Sequence, residues 1–125
     1  MTNTDESGHT KLIVWQKAME LALLVYEISK AFPSEEKFGI TSQVRRSAVS
    51  IPSNIAEGRS RGTRKDYAQF LHVALGSAAE LETQLTLAYR LSIAKNPSYT
   101  TAIELLKEVR RMLFAMVASL KSSTS

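Results

Sequence analysis

The chain has 125 residues, enough for one cored domain and too few for a second of ordinary size. Five glycines and three prolines argue against a loop-rich or many-stranded architecture, and the absence of cysteine removes disulfides, thiolate metal sites and cysteine nucleophiles. A formal net charge of +4 favours anionic partners.

Residues 1–10 are polar, carry Asp5 and Glu6, and read as a disordered tail; the apolar residues that follow are broken by Gln16, Lys17 and Glu20, unlike a secretion signal. No stretch approaches the roughly 18 uncharged apolar residues of a membrane span. The expectation is a soluble cytoplasmic chain with no membrane association, a bundle over 11–121 and a frayed end at 122–125.

From Leu12 to Phe32, the residues Trp15, Ala18, Leu21, Ala22, Val25, Ile28 and Phe32 recur at spacings of three and four, the stripe of an amphipathic helix that Pro33 ends. Met19, Leu23 and Tyr26 form a second apolar face, wider than one core requires, and are assigned to an oligomer interface. A second helix starts at Ser34 or nearer Thr41 and carries Val44, Ala48, Ile51 and Ile55. Pro52 lies inside it, so this helix is expected to be kinked or split near Ala48 to Ile51. Gln43, Ser47, Ser50, Asn54 and Glu57 recur beside the apolar stripe and are read as a solvated face, with a buried hydrogen-bonded seam as the alternative.

Thr63, three residues before Asp66, is a helix-start signal. The pattern then runs unbroken to about Lys95 through Tyr67, Phe70, Leu71, Ala74, Leu75, Ala78, Leu81, Leu85 and Ala88. Ala74, Gly76, Ser77, Ala78 and Ala79 are expected to let a neighbouring helix approach closely. After Asn96-Pro97-Ser98, a fourth helix is marked by Tyr99, Ile103, Leu106, Leu113, Val117 and Leu120, with Leu105, Val109, Met112 and Met116 as a second face assigned to the oligomer interface. The fold class is all-α, an antiparallel up-down-up-down four-helix bundle.

Leu12-Ile-Val-Trp15-Gln-Lys-Ala-Met-Glu-Leu21, Phe32-Pro33, Gln43-Val-Arg-Arg46, Ser50-Ile-Pro-Ser-Asn-Ile-Ala-Glu-Gly58, Phe70-Leu71 and Gly76-Ser77-Ala-Ala-Glu80-Leu-Glu82-Thr-Gln84-Leu85 stand in the order of a known pattern. Over roughly Leu12 to Leu91 the chain resembles the four-helix-bundle protein family encoded in 23S rRNA intervening sequences. That resemblance implies a homopentamer. It extends to accessory proteins of diversity-generating retroelements, for which nucleic acid and a reverse transcriptase are the implied partners.

Arg59, Arg61, Arg64 and Lys65 cluster around Gly58 and Gly62 in the turn between helices two and three. In the expected topology this end also holds Lys11, Lys17 and Lys121, making one basic end that would attract RNA or DNA by counterion release, or else a merely solvated turn. Arg45, Arg46, Arg110 and Arg111 are assigned to intramolecular pairing. Glu57, Glu80 and Glu82 do not form the Glu-x-x-His pairs of di-iron bundles, and the two histidines, His9 and His72, lack a nucleophile motif. The expectation is therefore no enzyme, no metal and no cofactor. The leading function is a homo-oligomer that binds structured RNA or DNA through its basic end. The alternatives are a scaffold docking a partner such as a reverse transcriptase, or a bundle retained with an rRNA insertion and lacking a cellular target.

Overall fold

The computed structural model describes residues 8–122, so most of the N-terminal tail and the last three residues of the C-terminal one lie outside it. Four helices account for nearly all of it: α1 Ile13–Ser29, α2 Ile40–Ser60, α3 Arg64–Arg90 and α4 Ser98–Ser122, with no strand among the described residues. Each helix packs on its neighbours in the chain, and α4 closes the ring against α1, while the backbones of the diagonal pairs stay apart. Short connections make successive helices antiparallel, giving the up-down-up-down bundle.

The core follows the apolar stripes. Leu21, Val25 and Ile28 of α1, Val44, Ala48, Ile51 and Ile55 of α2, and Leu71, Ala74, Ala78, Leu81, Leu85 and Ala88 of α3 are fully removed from solvent. On α4 the buried row is Ala102, Leu106, Val109, Leu113 and Val117. This corrects the assignment of Val109 to an oligomer interface: its side chain has no solvent exposure because it stands one turn from both Leu106 and Leu113 on the inward stripe. Leu105, Met112 and Met116 are also partly buried against the protomer's own core, which absorbs most of the second face read on this helix.

Local chemistry sets the boundaries. Pro33 stops α1, whose last turn tightens through Phe32 N–H to Ser29 O at 3.1 Å, and Phe32 then folds back into the core. Ser34–Glu36 form a separate 3-10 turn, so α2 starts after Gly39. Pro52 does not split α2, which is continuous across it, the buried ring lying between fully buried Ile51 and Ile55. Thr63 caps α3 by accepting from Asp66 N–H at 3.1 Å. That helix ends at Arg90, earlier than the expected Lys95, because Ser92 takes a left-handed φ of 64°. Ser92 N–H then reaches Tyr89 O and Ile93 N–H reaches Ala88 O, each at 3.0 Å, the closing pattern of a Schellman motif.

Two glycines expected or found in helices differ in purpose. Gly58 sits where α2 crosses α3, and an added Cβ there would lie 2.7 Å from Phe70 Cβ. Gly76 meets nothing within 4 Å, so it does not admit a neighbouring helix as the sequence suggested. Gly76→Ala is expected to raise stability by about 0.5–1 kcal/mol, measured by urea titration, because alanine restricts the unfolded chain and fits the helix.

Candidate functional site

The α2–α3 reversal is compact. Arg61 N–H bonds Gly58 O at 3.2 Å as α2 ends, Gly62 turns the chain with φ 89°, and Thr63 caps the next helix. A positive φ of this size favours glycine, which has no Cβ to clash. Arg59, Arg61, Arg64 and Lys65 therefore flank one tight bend, all of them exposed. Arg61 pairs with Glu57 at 3.0 Å and lies 4.9 Å from the centre of the Phe70 ring, so its guanidinium is held against the bundle.

Beside this bend a cavity of about 280 Å³ is lined by Arg59, Arg64, Tyr67 and, from the far end of α4, Leu120. The last turn of α4 thus reaches the α2–α3 bend and brings exposed Lys121 to the same end. The 3-10 turn His9–Lys11 packs on α1 and α2 and places exposed Lys11 there as well. Burial pushes the Tyr67 hydroxyl above its ordinary range, partly offset by the nearby Arg59 charge. Tyr67 consequently stays neutral at physiological pH and does not offset the cations.

Lys17 departs from the expected set. It forms an ion pair with Glu108 of α4 at 3.1 Å and is half-buried, so it joins α1 to α4 and leaves the tip. Of the mid-bundle arginines, Arg110 pairs with Glu82 across α3 and α4, as assigned. Arg45 instead donates to Ser29 Oγ at 2.7 Å and stacks 4.6 Å over the Tyr26 ring. Glu57 and Glu82 are thus occupied by arginines, and among the described residues no group of three or more His, Cys, Asp or Glu side chains could hold a metal ion.

The polar ribbon of α2 is divided. Gln43 and Glu57 at its ends are exposed, in keeping with a solvated face. Its middle is a seam: Ser47 is buried, Ser50 Oγ and Ser77 Oγ of α3 lie 2.7 Å apart, and Asn54 Nδ2 donates to Ser50 O at 2.8 Å. The small size of Ser77 on α3 was the available signal for this contact.

At the opposite end of α2, sequence reasoning missed a groove of about 670 Å³, with Tyr26, Lys37, Phe38, Thr41, Arg46 and Val49 among its lining residues. Phe38 is 91% exposed. On α1, Met19, Leu23 and Tyr26 project outward as expected, with Leu23 69% exposed. Among the described residues, no helix is long and apolar enough to cross a membrane.

A model of 23S rRNA-intervening sequence proteins matches residues 10–115. A crystal structure of a protein with unknown function from the S23 ribosomal protein family of Bacteroides thetaiotaomicron is similar with a TM-score of 0.77 and 28% identity, over 84% of this chain and 98% of that one. No curated protein matches.

Proposed function

The chain belongs to the 23S rRNA-intervening sequence protein family, and from that membership we propose that it is a non-catalytic cytoplasmic homo-oligomer, a pentamer, that binds structured RNA or other nucleic acid through its basic tip. The observation that carries this reading is the exposed set Arg59, Arg61, Arg64 and Lys65 around the Gly62 bend, with Lys11 and Lys121 at the same end. Cations held on a tight turn suit phosphates, which position a polyanion without reading its sequence. The outward apolar row Met19, Leu23 and Tyr26 supports self-association.

The test is titration of a hairpin RNA and a duplex DNA over a salt series, with wild type and an Arg59/Arg61/Arg64/Lys65 alanine variant. The variant is expected to bind more weakly, with the slope of log affinity against log salt shallower by about 3–4 if each cation meets one phosphate. Equal binding by the two proteins, or none by either at low salt, removes the reading. The α1 row equally supports a scaffold that docks a protein such as a reverse transcriptase; a partner that co-purifies after nuclease treatment would favour it. No binding of either kind would leave a bundle retained with an rRNA insertion.

A further inference from the structure

We propose that the groove between the end of α1 and the start of α2 is a second binding site, which takes an unpaired nucleotide of a single strand, its base on Phe38 and its phosphate between Lys37 and Arg46. The inference extends the nucleic-acid reading but uses none of the tip residues, so each can fail alone. The α2 rod of 21 residues separates the two sites by about 30 Å at 1.5 Å per residue.

Two observations converge. First, Phe38 is almost wholly exposed, with Lys37 Nζ 5.6 Å from its ring centre, and shares the groove with the half-exposed Val49, so an aromatic face is available where folding has no use for it. Second, Lys37, Arg45 and Arg46 line the groove and no acidic side chain does. Arg45 is fixed by Ser29 and Tyr26, while Arg46 makes only a 3.5 Å contact to Ser42, which leaves its guanidinium adjustable.

A nucleotide presents a flat π face and a phosphate together, which matches a ring flanked by cations. An acidic peptide would satisfy the cations but has no need of that combination. The groove is open to solvent rather than enclosed, which suits a segment of a longer chain better than a small molecule buried on all sides.

The test is fluorescence anisotropy with a labelled oligouridylate of about 12 nucleotides, within the span a single-strand groove covers, and a duplex of equal length, at fixed salt. Phe38→Leu is expected to weaken the single strand by about tenfold, the scale of one lost base stack, and to leave the duplex unchanged; Arg46→Gln should behave likewise. The tip alanine variant should weaken the duplex and retain the Phe38 dependence of the single strand. Wild-type affinity of Phe38→Leu for the oligouridylate, or parallel loss for both probes, overturns the proposal. So does Phe38-dependent binding of an acidic leucine-containing peptide without binding of the oligouridylate, or a fall in light-scattering mass with Phe38→Leu, which would make the groove a subunit contact.

Discussion

Leu81→Ala is expected to lower the unfolding free energy by about 2–5 kcal/mol, read as a lower urea midpoint with an unchanged m-value at one protein concentration. Leu81 is fully buried in α3, the helix that packs on both α2 and α4. Its replacement loses the transfer free energy of the missing atoms and leaves a void that fixed neighbours cannot fill. Against a typical domain stability of about 5–15 kcal/mol the loss is large. The thermal midpoint should fall by about 10–20 °C. A change below about 1 kcal/mol would mean that the helices close over the gap and that the core is softer than its burial implies.

Gly58→Ala should also destabilise, by about 1–3 kcal/mol, although alanine is ordinarily the better helix former. The new Cβ would stand 2.7 Å from Phe70 Cβ, 3.2 Å from Tyr67 Cδ1 and 3.3 Å from Tyr67 O. Phe70 Cβ is attached to the backbone, so no side-chain rotation clears the clash and α3 itself must move away. The same displacement would disturb the Arg61–Phe70 stack and the cavity beside the bend. Circular dichroism melts of Gly58→Ala beside Gly76→Ala check the contrast: the first should melt lower than wild type and the second higher. A higher melting point for both would show that α2 and α3 can separate without loss.

Much of this bundle is legible in the sequence because a helix turns its hydrophobic stripe into a spacing rule, and the inward faces of α1, α2 and α3 follow that rule residue by residue. Val109 was misread because α4 carries two overlapping apolar rows. Spacing alone does not say which row faces inward until the neighbouring helices fix its rotation. The end of α3 was missed because serine, instead of glycine, takes the left-handed position at 92. The tip cations were legible as a cluster since they are close in sequence, whereas the commitment of Lys17 to Glu108 depends on the approach of α4. The Phe38 groove was invisible for the same reason: it joins the end of α1, the connection after it and the start of α2.

Glu108 and Arg110 stand two residues apart on α4 and pair with helices on its opposite flanks, Glu108 with Lys17 of α1 and Arg110 with Glu82 of α3. The same four rods can also be wound in the mirror sense, with the first and third exchanging places beside the fourth. In that arrangement Glu108 would confront Glu82, and Arg110 would confront Lys17, so both flanks would set like charge against like. These two half-buried pairs therefore favour the observed winding over its mirror.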